Sequence, residues 1–174
     1  KFIPAEAVGI RLEGEDGADI DLRVRLVDCV GFAVDGARGF SDEDGPRMVD
    51  TPWADEPISF EQAAAIGTEK IISEHSTLGI VVLADGSFGD IERESYLPAE
   101  QRVIEELREL GKPFVIVLNS SHPDDEETLL LADALTEQSG VAVLPLDVSR
   151  MDSEDIIDVL NAALYEFPVT AINV

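Results

Sequence analysis

Asp28-Cys29-Val30-Gly31 is the segment of this chain whose residue types and spacing could do chemistry. It follows an alternating run, Ile20, Leu22, Val24 and Leu26 against Asp21, Arg23 and Arg25, which predicts a half-buried strand ending in Leu26-Val27-Asp28. A carboxylate at the carboxyl end of such a strand can hold Mg²⁺ through water. A glycine three residues on lets a backbone N–H approach a phosphate oxygen with no side chain in the way. Those are the needs of a site that hydrolyses a nucleoside triphosphate. An Asp and a Gly that merely open a turn have the same spacing, so the pattern takes its weight from the elements around it.

Those elements read as a sheet with helices. Val8 to Leu12, the turn-forming Glu13-Gly14-Glu15-Asp16-Gly17 and the Ile20 run make a β-hairpin. Leu78–Leu83, Pro113–Leu118 and Val141–Leu146 are continuously apolar, as central parallel strands covered on both faces are. Between them lie helices. Ser59 and Gln62 form a capping box ahead of Phe60–Glu74, and Pro98 opens a helix that Gly111 ends. Thr128–Gln138 stops at Gly140, and Asp152 caps a last helix carrying Ile156, Ile157, Leu160 and Leu164. This order gives a three-layer α/β fold whose sheet is mostly parallel, with an antiparallel edge hairpin, in a single domain. The connection from Phe32 to Ile58 lacks periodicity and exceeds the usual loop length, so it is either a long surface loop or a functional one, with Phe40, Met48 and Trp53 available to pin it.

The order of parts sharpens the chemistry. In hydrolases of the P-loop class a hairpin ends in D-x-x-G, and a later strand closes with a base-reading Asn-Lys-x-Asp. Here that strand closes with Asn119-Ser120-Ser121-His122. The Asn is present, but the carboxylate that would accept from guanine is replaced, which favours adenine. Asn119 as a plain turn residue stays open as the alternative. No G-x-x-x-x-G-K-[ST] cradle occurs in the 174 residues, so the fold is expected to lack the P-loop strand and first helix. In this fold class that strand lies between the Ile20–Val27 and Leu78–Leu83 strands. The gap must then close directly, take a strand from another chain or be left incomplete, and an unpaired central edge would invite aggregation.

Composition excludes other classes. Twelve Lys plus Arg against 37 Asp plus Glu leave a net charge of −25 with no basic cluster, which opposes nucleic-acid binding and contact with anionic lipid. A single cysteine, Cys29, rules out an intrachain disulfide and fits a reducing cytoplasm. The longest apolar runs are strand-sized and the start carries no signal-peptide layout, so no membrane insertion is expected. His75 and His122 have no metal spacing and read as helix-end and surface residues. Lys112-Pro113 precedes a strand, which sets aside a phospho-acceptor receiver domain.

The sequence resembles the stage IV sporulation protein A family, cytoskeletal ATPases of spore-forming Firmicutes. The resemblance rests on Arg25-Leu26-Val27-Asp28-Cys29-Val30-Gly31-Phe32, Asp44–Val49, Thr51-Pro52-Trp53, Ile66–Lys70, Glu74–Gly79, Asp85-Gly86-Ser87, Gly111-Lys112-Pro113-Phe114, Leu118-Asn119-Ser120 and Leu164–Val169, and covers essentially the whole chain. It implies a translation-factor GTPase-like P-loop domain that hydrolyses ATP with Mg²⁺ and assembles into static filaments at the base of the spore coat. Residues 1–174 would form one partial ATPase domain, with the P-loop, first helix and switch threonines upstream and further domains downstream. The resemblance makes Asp28 the Mg²⁺ aspartate, acting through water, and Gly31 the switch glycine. Asn119 and Ser120 take the degenerate base-recognition position, and Asp147-Val148-Ser149 the last base-contacting loop. Its implied partners are copies of itself, spore-coat proteins and the proteins that anchor it to the forespore surface, in the mother-cell cytoplasm. The fragment alone would be inactive. A competing reading is a non-catalytic assembly module with a degenerate site and the 32–58 connection as interface; a third, an acid–base enzyme using Asp28 and Asp85, has no supporting pair geometry.

Overall fold

The computed structural model describes residues 6–13, 19–42 and 45–167. Val8–Glu13 (β1) and Asp19–Val24 (β2) form the expected antiparallel hairpin, paired from Val8 opposite Val24 to Glu13 opposite Asp19. Its turn, 14–18, lies outside the described residues. β2 stops three residues short of the expected Val27, because β1 supplies its last partner at Val8. Leu26 is consequently exposed, and Asp28 lies beyond the strand end in an isolated β-bridge.

The long connection is more ordered than its lack of periodicity suggests. Ser41–Asp42 (β3) pairs with Gly45–Pro46 (β4), and Met48–Val49 (β5) pairs with Ile58–Ser59 (β6), each ladder two residues long and antiparallel. Ladders this short leave no sequence period to detect. Phe40 pins the segment as expected, its ring 5.4 Å from that of Phe60, and Arg47 stacks over Phe60 at 4.9 Å. Met48 and Trp53 are instead largely exposed.

Phe60–Lys70 (α1) starts where Ser59 Oγ accepts the Gln62 N–H at 3.2 Å, and continues as a π-helical turn over Ile71–His75. Gly79–Ala84 (β7), Leu97–Glu109 (α2), Phe114–Asn119 (β8), Glu126–Ser139 (α3), Val143–Leu146 (β9) and Ser153–Tyr165 (α4) then alternate. The strands form a parallel sheet in the order β7-β8-β9. A capping box opens α4, in which Asp152 accepts from the N–H groups of Glu154 and Asp155 while the Asp155 carboxylate accepts from Asp152 N–H.

Strand β8 is the centre of the molecule: Phe114, Val115, Ile116, Val117 and Leu118 are all buried. Phe114, Ile116 and Leu118 pack with Leu107 of α2 and Ala132 and Leu135 of α3. Val115 and Val117 turn the other way, onto Val159 and Ala163 of α4. Helices on both faces make the three layers. Full coverage fits β8 only, however. On the α4 side Ile80 and Val82 of β7 are exposed, because α4 packs over β8 and not over β7. The hairpin keeps its own two-stranded ladder and does not join β7. Between them runs a groove of about 800 Å³ lined by Leu22, Val24, Leu26, Leu78, Ile80 and Leu160. Among the described residues no strand fills that gap. Among the described residues no helix is long and apolar enough to cross a membrane.

Candidate functional site

Parallel strands deliver three loops to one edge of the sheet, their carboxyl ends, and hydrogen bonds tie the loops together. After β7, Asp85 Oδ1 accepts the Ser87 N–H at 2.8 Å and the Ser87 hydroxyl at 2.6 Å. The same Ser87 oxygen accepts the Ser121 N–H of the loop after β8 at 2.8 Å. From that second loop, Asn119 Oδ1 accepts the Val148 N–H of the third at 3.0 Å, and Asp147 Oδ1 holds Ser149 through its N–H and hydroxyl. Asn119, Asp147 and Val148, separated by almost 30 residues, thus meet in one cluster. The Asn119 oxygen is occupied, which leaves its amide NH₂ to donate to a ligand.

Ser120 sits differently. It is fully buried, its hydroxyl accepts the His122 N–H at 3.0 Å and lies 3.3 Å from the Thr128 hydroxyl, so any influence on a ligand goes through the shape of the loop. His122 Nδ1 shares a hydrogen bond of 2.8 Å with the Ser121 hydroxyl, and His75 lies 3.8 Å from Glu74 in the π-helical turn. Among the described residues no group of three His, Cys, Asp or Glu side chains could hold a metal ion.

Asp85 is the electrostatic pivot of the cluster. Burial pushes its carboxyl up, but hydrogen bonds from Ser120, the Ser87 hydroxyl and the Ser87 N–H outweigh burial and bring it below the ordinary 3.8. A carboxylate held ionised in this way is a poor general acid. Gly86 beside it has φ +89°, and a Cβ there would lie 2.9 Å from the Arg93 backbone nitrogen. Arg93 in turn makes a two-pronged ion pair with Glu100, which is 7% exposed, with Nη2 to Oε2 at 2.7 Å. This bracing was not signalled by any motif; Asp85-Gly86-Ser87 stood out only as a segment of the family resemblance.

Asp28 and Gly31 stand apart from that cluster. Asp28 is exposed, and among the described residues nothing bonds its carboxylate. Gly31 has φ +79°, a conformation that side chains disfavour, and a Cβ built there would meet nothing within 4 Å. Open space beside a backbone donor is what close approach of a ligand oxygen requires. Its N–H donates to the hydroxyl of Thr68, a buried residue of α1, at 3.1 Å. A single exposed carboxylate suits Mg²⁺, which keeps most of its waters and takes phosphate oxygens rather than a cage of protein ligands. Next to this loop a cavity of about 370 Å³ opens between Cys29, Val30, Thr51, Trp53, Phe60 and Lys70. Its walls are mostly apolar, unsuited to a phosphate.

Comparison with known proteins supplies the remaining context. The family model described as "Stage IV sporulation protein A, ATPase domain" matches residues 1–168. Proteins named "Stage IV sporulation protein A" from Bacillus subtilis (strain 168), Clostridioides difficile (strain 630) and Bacillus anthracis are 51%, 49% and 47% identical over all 174 residues. The chain spans 35% of the length of each of these relatives. No solved structure matches it. With a family model matched across nearly its whole length, the chain belongs to the stage IV sporulation protein A family and lies in that family's ATPase domain.

Proposed function

We propose that residues 1–174 are part of one Mg²⁺-dependent ATPase domain, and that hydrolysis in the full-length protein drives self-assembly into the basal layer of the spore coat. The observation that carries the reading is the 28–31 loop. An exposed Asp28, its carboxylate without a bond among the described residues, lies three residues before a left-handed glycine with open space at its Cα, in a chain that belongs to an ATPase-domain family. The Asp28 carboxylate accepts hydrogen bonds from the metal's water shell, and the Gly31 N–H donates to an oxygen of the terminal phosphate. Asn119 and the Asp147–Ser149 loop orient the base, the Asn119 NH₂ donating to a purine nitrogen. Mg²⁺, when bound, neutralises charge on the phosphates.

The nucleotide-binding strand and its phosphate cradle belong to the part of the protein outside these 174 residues, so the isolated segment is inactive. The groove beside β7 and the missing G-x-x-x-x-G-K-[ST] support that division of labour. Its partners are further copies of itself, coat proteins and anchoring proteins at the forespore surface in the mother cell. A charge of −25 supports the exclusion of nucleic acid and of direct contact with anionic lipid. Phosphate release by full-length protein with Mg-ATP tests the site: Asp28→Ala should lower turnover by about a hundredfold or more. Normal turnover by that variant would sink the assignment of Asp28. Isothermal titration of the full-length protein with Mg-ATP separates the ATPase from a non-catalytic assembly module, which would show no binding.

A further inference from the structure

We propose that Thr68 is a latch on the Gly31 amide, holding it in the absence of triphosphate and releasing it when a terminal phosphate arrives. The inference rests on the reading of Gly31 as a phosphate contact. Gly31 N–H has one proton to give, and at 3.1 Å it gives it to Thr68 Oγ1, across 37 residues of sequence. The threonine is 2% exposed, in the second half of α1. Two other hydroxyls in helical turns, Ser73 and Thr136, bond to the carbonyl four residues back, of Glu69 and Ala132. Thr68 instead accepts from a distant loop. A buried hydroxyl in this role ties the loop that carries Asp28 to the helix beyond the 32–58 connection.

The physical consequence follows from donor arithmetic. A phosphate oxygen and the Thr68 hydroxyl compete for the same N–H, whose alternative to either is water from the open space beside Gly31. A diphosphate lacks the terminal group and leaves the latch closed. Thr68 therefore lowers triphosphate affinity selectively, and it sets the ratio of Mg-ATP to Mg-ADP affinity without touching the ligand. It is a positioning residue. A neutral hydrogen bond of this kind corresponds to a ratio change of about two- to tenfold.

The test is nucleotide titration of the full-length protein carrying Thr68→Val, which keeps the shape and removes the acceptor, beside Thr68→Ser, which keeps the hydroxyl. Thr68→Val should raise the Mg-ATP to Mg-ADP affinity ratio about two- to tenfold. It should also speed hydrogen exchange at the Gly31 amide in nucleotide-free protein, while Thr68→Ser stays at the wild-type values. An unchanged or lower ratio in Thr68→Val, with wild-type protein binding Mg-ATP normally, overturns the latch and leaves the ATPase reading intact. Absence of Mg-ATP binding by wild-type protein overturns both.

Discussion

The two halves of the candidate site are built in opposite ways. At the carboxyl edge of β7-β8-β9 every loop is tied to its neighbour: Asp85 to Ser87, Ser87 to Ser121, and Asn119 to Val148. The 28–31 loop has one side-chain tie, from Gly31 to Thr68, and its carboxylate has none among the described residues. A base needs a fixed frame, because its edge is read by donors and acceptors that lose value when they move. A terminal phosphate that comes and goes needs a contact that can be made and broken at small cost. On the proposed function, the braced half would be the frame and the lightly held half the part that responds.

Substitutions can break this contrast, and the largest effect is expected where bracing is deepest. Glu100→Ala leaves the Arg93 guanidinium, whose side chain is 18% exposed, without its carboxylate, and should cost about 3 kcal/mol in thermal or denaturant unfolding of the domain. Asp28→Ala, at an exposed position whose carboxylate makes no bond among the described residues, should leave the Tm within about 2 °C while lowering turnover by about a hundredfold or more. Comparable destabilisation by both would erase the distinction between frame and responding loop. Gly86→Ala comes next, at about 2 kcal/mol, because it combines a positive φ with the approach of the Arg93 backbone. Asn119→Ala removes the acceptor for Val148 N–H and should weaken nucleotide binding by the full-length protein about tenfold, measured by titration. An unaltered affinity would show that the three loops hold their arrangement without that link.

The smallest expected effect concerns a carboxylate outside both halves. Burial raises the Glu106 carboxyl above its usual 4.5, repulsion from Glu69 and Glu109 adds to this and Arg102 opposes it; one oxygen, Oε2, is buried without a partner. A raised carboxyl binds its proton more tightly in the folded protein, so stability falls as pH rises from 4.5 through the folded value. Glu106→Gln should therefore raise the Tm by about 1–3 °C at pH 7, with the gain vanishing below about pH 4.5. Asp85 has the opposite sign. Its lowered carboxyl contributes stability that is present above 3.8 and lost as pH falls through the depressed value, so Ser87→Ala should flatten the acid limb of the unfolding curve. A flat acid limb in the wild type would mean that the Asp85 bonds add nothing to the frame.

Much of the architecture was legible because it depends on local pattern. Continuous apolar runs marked β7, β8 and β9, and Ser59, Pro98, Gly140 and Asp152 marked helix ends, since caps act within one turn of chain. Asp28, Gly31, Asn119 and Asp147 could be picked out because a motif is itself a spacing. The β3–β6 ladders were invisible, as two-residue strands carry no period. Ser120 looked like part of a binding loop, but its hydroxyl is buried against Thr128 and Asp85, a matter of burial rather than spacing. The Arg93–Glu100 pair belongs to no motif, and only packing shows that Glu100 is buried.

What the sequence by itself determined is the class of chemistry and the order of the elements. Residue types fix which groups can bind Mg²⁺, phosphate or a base, and hydrophobic period fixes which segments become strand or helix. Only the tertiary structure decided which groups meet: that Gly31 gives its proton to Thr68, that Asn119 reaches Val148, and that Ile80 faces a groove. Those pairings join residues tens of positions apart, and such distances are set by the packing of α1 and of the helices about β8. No local pattern encodes them.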